Sequence, residues 1–311
     1  MKQPLLITGP MYPPTLEELE RTYEAHRLWT ATDREALIAS LADRVRAVAS
    51  SNPRGIDAAT IAKLPKLEVI SHFGVGYETV DVEAAAKRGI KVTNTPDVLT
   101  EEVADLAIAL VLATLRRIPQ GDRYVREGKW LKGAMPLADT AQGKILGIIG
   151  MGRIGQAIAK RGLALNMQVA YQGPNRKAAL PYKYLADPVA LAKESDVVMV
   201  ACPGGEATKN LVNRAVIDAI GPKGYIVNIA RGSIIDEPAL LEALQQNRIA
   251  GAGLDVFVDE PKVPEAFFAL DNVVLQPHVG SATHTTRRAM GQLVIDNLAA
   301  HFAGRPLVTP V

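Results

Sequence analysis

The run Lys144-Ile145-Leu146-Gly147-Ile148-Ile149 passes directly into Gly150-Met151-Gly152-Arg153-Ile154-Gly155 and then into the helical pattern Gln156–Leu165. Few backbone arrangements satisfy that order. An apolar strand must stop at a turn tight enough to need Gly150, and the chain must re-enter a helix lying so close to the strand that Gly155 carries no side chain. Between them, Gly152 leaves the backbone bare where N–H groups at the positive end of the helix can meet an anion. Glycine-rich turns are common, so the motif alone is a weak signal. Here strand, turn and helix fall in the order that a dinucleotide pyrophosphate requires. No Lys-Ser/Thr follows, which argues against a nucleoside-triphosphate loop.

The rest of the 311 residues fits an α/β chain built twice over. Leu5–Thr8, Ala47–Ser50, Leu67–His72 and Lys91–Asn94 read as strands, with helical patterns at Leu16–Glu24, Arg34–Ala42, Ala58–Ala62 and Val82–Lys87. Such alternation implies parallel strands joined by crossover helices. A long apolar helix follows over residues 101–117, with Thr100 as its cap, Glu101 and Glu102 at its positive end and Arg116 and Arg117 at its negative end. It is apolar nearly all round, which predicts burial. A second series then offers six strands: Ile145–Ile149, Val169–Tyr171, Val197–Ala201, Tyr225–Ile229, Gly253–Val256 and Val273–Leu275. A last helix covers about His284–Phe302, and the tail Arg305-Pro306-Leu307 is expected to return to the first domain.

Composition excludes other classes. With 48% hydrophobic residues the chain is no disordered segment. Its 35 basic and 33 acidic residues nearly cancel, leaving no global field for nucleic acid or an anionic membrane. Cys202 is alone, so no intrachain disulfide and no multi-cysteine metal site can form; no metal is expected. The sequence opens with no signal-peptide pattern, and the most apolar helical run, Leu106–Ala113, is far short of a bilayer span. The expectation is a soluble, cytoplasmic protein.

The strand after the fingerprint helix should end in an acidic residue if it grips an unmodified ribose 2′-hydroxyl. Its end reads Tyr171-Gln172-Gly173-Pro174-Asn175-Arg176-Lys177, without a carboxylate. Arg176 and Lys177 could instead pair with a 2′-phosphate, which favours NADPH over NADH. Three further segments each end a strand on the side where such sheets bind ligands: Asn228-Ile229-Ala230-Arg231-Gly232, Asp255-Val256-Phe257-Val258-Asp259-Glu260-Pro261 and Pro277-His278-Val279-Gly280-Ser281-Ala282. Alone, Arg231 reads as a surface cation, Glu260 as a helix-start charge and His278 as a core histidine. Together, at successive strand ends of a dinucleotide fold, they form a catalytic constellation.

With these pieces, and with Phe73-Gly74-Val75-Gly76 and Asn94-Thr95-Pro96, the chain resembles the D-isomer-specific 2-hydroxyacid dehydrogenase family over essentially its whole length. Within it the chain looks most like the glyoxylate/hydroxypyruvate reductases, partly through Thr95-Pro96-Asp97-Val98-Leu99-Thr100-Glu101-Glu102. The resemblance implies two Rossmann-like/flavodoxin-like α/β domains with parallel sheets and a cleft between them. Residues 1–99 plus 285–311 would form the substrate domain and 100–284 the dinucleotide domain.

It also implies roles. His278 would be the general acid, kept protonated by Glu260, and Arg231 would bind the keto-acid carboxylate and polarise the carbonyl. Val75 and Gly76 would offer backbone N–H groups to the same carboxylate, with Arg54 and Ser281 as further substrate contacts. Cofactor contacts would come from Thr100, Gly150, Gly152, Arg153, Ile154, Gly155, Gln172, Asn175, Arg176, Lys177, Cys202, Pro203, Thr208, Ile229, Ala230, Asp255, His278 and Gly280, Asp255 accepting from the nicotinamide carboxamide. Cys202 reads as an apolar wall rather than a nucleophile. The family usually dimerises, which makes Tyr124–Leu137, with Trp130 and Met135, a candidate arm in an extended conformation.

The expected function is NADPH-preferring reduction of small 2-keto acids, glyoxylate and hydroxypyruvate first. The alternatives are an NAD-linked D-3-phosphoglycerate, D-lactate or aromatic-pyruvate dehydrogenase and, from another class, a dinucleotide-sensing corepressor-like binding protein.

Overall fold

A computed structural model of the chain describes residues 2–311. These divide into two compact units: the chain up to Leu99 together with Ala282–Val311, and Thr100–Ser281.

In the first unit, β1 (Pro4–Ile7), α1 (Pro13–Thr22), β2 (Glu24–Arg27), α2 (Arg34–Leu41), β3 (Ala47–Ser51), α3 (Ala58–Ala62), β4 (Val69–Phe73), α4 (Val82–Lys87) and β5 (Lys91–Thr93) alternate along the chain. The five strands are parallel in the order β2-β1-β3-β4-β5, the flavodoxin-like order. Each residue of β3 and β4 is buried, as expected of strands covered on both faces. Asp33, Asp57 and Asp81 cap α2, α3 and α4 by accepting from the N–H groups of Ala36, Thr60 and Ala84. The last helix, His284–Phe302, packs on β4 and α1. The tail after it bridges antiparallel to β5 at Thr93–Pro310 and covers that edge. Sequence reading continued α1 to Glu24 and gave no β2; Glu-Ala-His-Arg forms a half-exposed edge strand with no apolar run.

The second unit begins with α5 (Thr100–Leu115) and α6 (Ile118–Arg126). It continues through β6 (Ile145–Ile149), α7 (Arg153–Ala164), β7 (Gln168–Gln172), β8 (Lys183–Tyr184), α8 (Pro188–Glu194), β9 (Val197–Val200) and α9 (Arg214–Ile220), then β10 (Tyr225–Asn228), α10 (Glu237–Gln245), β11 (Gly251–Leu254) and β12 (Val273–Leu275). Its sheet is parallel in the order β12-β11-β10-β9-β6-β7-β8, with the topological switch between β6 and β9. Seven strands stand where six were expected. The extra one, β8, is a two-residue edge strand whose Lys183 and Tyr184 carry no apolar pattern.

Two further expectations need correction. The long helix starts at Thr100 itself and ends at Leu115, because Arg117 adopts a left-handed φ of 53° and opens α6. The stretch Tyr124–Leu137 is not simply extended, since it contains the end of α6 and a 3-10 turn at Lys129–Lys132. No helix among the described residues is long and apolar enough to cross a membrane.

Candidate active site

The fingerprint sits at the switch point of the second unit. Gly150 has φ 99°, and a Cβ there would lie 2.4 Å from the backbone N of Cys202, so the carboxyl ends of β6 and β9 converge on it. A Cβ on Gly155 would lie 2.2 Å from the Gly150 carbonyl oxygen, whereas one on Gly152 would meet nothing within 4 Å. Helix α7 therefore starts beside open space, and no side chain caps it. A bare helix N-terminus, with Arg153 and Ile154 in its first turn, fits a dinucleotide pyrophosphate.

Gln172, at the end of β7, is buried, and its side-chain amide donates to the Ala186 carbonyl. The loop beyond is held by two tyrosines: the Tyr171 hydroxyl accepts from Lys177 N at 2.8 Å, and the Tyr184 hydroxyl donates to the Gly173 carbonyl at 2.9 Å. Asn175, Arg176 and Lys177 are exposed on it. After β9, the Thr208 hydroxyl donates to the Pro203 carbonyl at 2.7 Å, closing the turn that follows Cys202. Burial pushes the Cys202 thiol up to about 11, which makes it a poor nucleophile.

The polar cluster gathers at the carboxyl ends of β10, β11 and β12. His278 Nδ1 lies 2.6 Å from Glu260 Oε2, and Glu260 Oε1 accepts from Phe257 N at 3.0 Å. Since the carboxylate accepts, Nδ1 carries the proton shared with it and Nε2 is left to face a ligand. Burial pushes the Glu260 carboxyl up. The hydrogen bond and charge of the His278 ring, the Phe257 N–H and the Arg231 guanidinium outweigh it, so the group lies below its ordinary value. The pair thus loses its negative member only as pH falls through that lowered value.

Arg231 starts the turn after β10, and its guanidinium donates to the Ala230 carbonyl at 2.7 Å. Ile229 and Ala230 are buried behind it. Sequence reading gave Asn228 no task, yet this buried side chain accepts from Ala230 N and donates to the Arg231 carbonyl, setting the turn from which Arg231 projects.

Asp255 is 1% exposed. Its carboxylate accepts from Val279 N at 2.7 Å and Gly280 N at 2.9 Å, and its carbonyl accepts from His278 N at 2.8 Å. Burial pushes its carboxyl up, against the pull of those two N–H groups. His278 itself has φ 54°, a left-handed backbone that costs a side-chain-bearing residue on the order of 1 kcal/mol. Backbone N–H bonds to a carboxylate contribute about 1.5–3 kcal/mol each, enough to hold that conformation. Thr100 opens α5 and Ser281 follows the His278 turn; both are half-buried.

In the first unit, Val75 and Gly76 lie in the loop after β4. Arg54 follows β3 and lines a cavity of about 80 Å³ with Thr8, Arg34 and Asp57. Among the described residues no three His, Cys, Asp or Glu side chains group as metal ligands.

Comparisons with known proteins show the family and the fold. The family model "D-isomer specific 2-hydroxyacid dehydrogenase, NAD binding domain" matches residues 108–280. The hydroxyphenylpyruvate reductase of Plectranthus scutellarioides is 48% identical over 307 residues, covering 99% of this chain and 98% of that one. A glyoxylate/hydroxypyruvate reductase of Arabidopsis thaliana is 48% identical with the same coverage. The NADPH-dependent glyoxylate/hydroxypyruvate reductase of Sinorhizobium meliloti, solved with NADP and malonate, superposes with a TM-score of 0.93 at 43% identity, over 100% of this chain and 97% of that one. The chain belongs to the D-isomer specific 2-hydroxyacid dehydrogenase family.

Proposed function

We propose that this protein is an NADPH-preferring reductase of small 2-keto acids, glyoxylate and hydroxypyruvate first, giving the D-hydroxy acid where a stereocentre forms. The observation that carries the proposal is the His278–Glu260 pair at 2.6 Å, with Nε2 of the ring left for substrate. When bound, the dinucleotide supplies hydride to the carbonyl carbon. His278 donates its Nε2 proton to the carbonyl oxygen, and Glu260 orients the ring and offsets its charge. Arg231 binds the carboxylate and polarises the carbonyl through its forked donors. Asp255 fixes the His278–Gly280 turn, and its carboxylate would accept from the nicotinamide carboxamide when the dinucleotide is bound. The first unit adds the N–H groups of Val75 and Gly76. Arg54 and Ser281 would touch the substrate, and Thr100 the nicotinamide side of the cofactor.

Cofactor choice rests on the loop after β7. Arg176 and Lys177 form no ion pair among the described residues, which leaves both cations for a 2′-phosphate. Steady-state kinetics with both cofactors across glyoxylate, hydroxypyruvate, pyruvate and hydroxyphenylpyruvate test the reading. NADPH should be preferred. Neutralising both cations, Arg176→Ala with Lys177→Ala, should lower the NADPH-to-NADH ratio in kcat/KM about tenfold, the scale expected of two exposed charge contacts. An unchanged ratio would remove this loop from cofactor selection.

A second copy of this chain is the proposed partner. Trp130, Leu131 and Leu137 are 68%, 94% and 98% exposed, and Ile118 and Val125 of α6 add to the same segment. That concentration of open apolar side chains suits an interface. Light scattering should give twice the chain mass, and Leu131→Asp should lower it; a single-chain mass for the unaltered protein would refute the proposal.

A further inference from the structure

The loop Gly74-Val75-Gly76 has every carbonyl taken. Gly74 O accepts from Thr95 N at 2.9 Å, and Val75 O accepts from Asn94 Nδ2 at 2.9 Å. Gly76 O accepts from Asn52 Nδ2 at 3.0 Å and from His72 Nε2 at 3.1 Å. A carbonyl can only accept, so His72 carries a proton on Nε2, and Nδ1 faces the Ser50 hydroxyl at 2.9 Å. The His72 ring is wholly buried. The Thr79 hydroxyl donates to Asn52 Oδ1 at 2.7 Å, which turns the Asn52 amide nitrogen toward Gly76. A Cβ on Gly74 would come within 2.9 Å of His72 Nε2 and 3.3 Å of Asn52 Nδ2, so the donors close in where a side chain would otherwise be.

In a trans peptide the C=O and the next N–H point opposite ways. Pulling the Gly74 carbonyl inward therefore aims the Val75 N–H outward, and pulling the Val75 carbonyl inward aims the Gly76 N–H outward. Among the described residues neither N–H donates to any group in the chain. Asn94 is itself braced from the tail. The Thr309 hydroxyl donates to the Asn94 carbonyl at 2.6 Å and accepts from the buried Asn297 side chain at 2.8 Å, while Asn94 N donates to Thr309 O at 3.3 Å.

We infer that Asn94 is a positioning residue that holds the Gly76 N–H ready for the substrate carboxylate through the Val75 carbonyl, that Asn52 and His72 anchor the same loop from its far side through the Gly76 carbonyl, and that Thr309 braces Asn94 from the tail. This rests on the keto-acid reading and names what sets its carboxylate cradle. Donors fixed in advance lose little freedom on binding, so the clamp acts on affinity for the carboxylate rather than on proton transfer.

The test compares Asn94→Leu, His72→Leu, His72→Gln and Thr309→Val. The readouts are glyoxylate KM and kcat, the dissociation constant of oxalate measured by calorimetry, NADPH affinity and Tm. Asn94→Leu and His72→Leu should raise KM and the oxalate constant together by about fivefold to tenfold, the worth of one hydrogen bond. Saturated kcat and NADPH affinity should stay near those of the unaltered protein. His72→Gln, whose amide can reach the Gly76 carbonyl, should recover most of the loss, and Thr309→Val should move KM in the same direction by less. An oxalate constant that stays put in both leucine variants would overturn the inference, as would a fall in kcat with KM unmoved or a His72→Gln variant no better than His72→Leu. If the unaltered protein binds oxalate but reduces no keto acid, the reductase reading fails while the oxalate series still decides the clamp.

Discussion

His278→Ala should lower kcat for glyoxylate reduction by about 10²–10⁴-fold, the contribution of a positioned general acid, while NADPH still binds. The reason lies in how the ring is held. Nδ1 is tied to Glu260 at 2.6 Å, so Nε2 is the nitrogen that can meet a carbonyl oxygen, and alanine offers nothing in its place. Removing the ring also leaves Glu260 half-buried without its partner. Because the two side chains keep 40% and 29% of their exposure, that loss should cost about 1–2 kcal/mol rather than the larger penalty of a fully buried pair. His278→Asn separates the two effects: its amide nitrogen, at the position of Nδ1, can still donate to Glu260 but cannot deliver a proton. It should keep Tm near that of the unaltered protein and remain as inactive as the alanine variant. Near-normal turnover by either variant would take His278 out of the mechanism.

Arg231→Met should lower kcat/KM about 10²–10³-fold, with both kcat and KM affected. The guanidinium is asked to bind a carboxylate in the ground state and to stabilise the carbonyl oxygen as charge develops, and losing one such donor costs about 2.7–4 kcal/mol. Arg231→Lys keeps the charge and loses the fork, so it should recover about tenfold of the loss and no more. Buried Asn228, which holds the Arg231 turn on both sides, makes this a site where the backbone should stay put in either variant. An Arg231→Met enzyme changed only in KM would mean that the residue binds substrate without taking part in the chemistry.

What could be read from the chain in advance follows from where constraint resides. The Gly150–Gly155 run was legible because backbone approach at 2.4 Å and 2.2 Å admits no other residue at its two ends. Arg231, Glu260 and His278 stood out together because they fall three, six and three residues past the ends of successive strands, β10, β11 and β12. The edge strands β2 and β8 were not, since an edge needs no apolar run: Glu24–Arg27 and Lys183–Tyr184 are exposed or half-exposed. Helix α6 was hidden by Pro119 and Gly121, which look like breakers although proline suits a first turn. The glycines of β11 also misled, placing that strand at Gly253–Val256 instead of Gly251–Leu254. There a Cβ on Gly253 would meet the Thr114 hydroxyl of α5 at 2.7 Å, so these glycines mark a close helix rather than a turn. The carbonyl-holding tasks of Asn52, His72, Asn94 and Asn228 could not be read from the chain, because their partners are main-chain atoms. Asp255 was read for its position near the nicotinamide, and its visible task is to fix the turn that carries His278.

The second unit thus joins two devices: an uncapped helix start beside open space for an anion, and a histidine held in a left-handed turn by a buried aspartate while its ring rests on Glu260. The proposed chemistry needs both at once. The most direct measurement follows deuterium from the reactive C4 position of labelled NADPH during a single turnover of glyoxylate by the unaltered protein, with His278→Ala alongside. The account predicts glycolate carrying one deuterium at C2, formed in step with NADPH oxidation and absent from the variant. Glycolate without the label, or equal label transfer by His278→Ala, would contradict it.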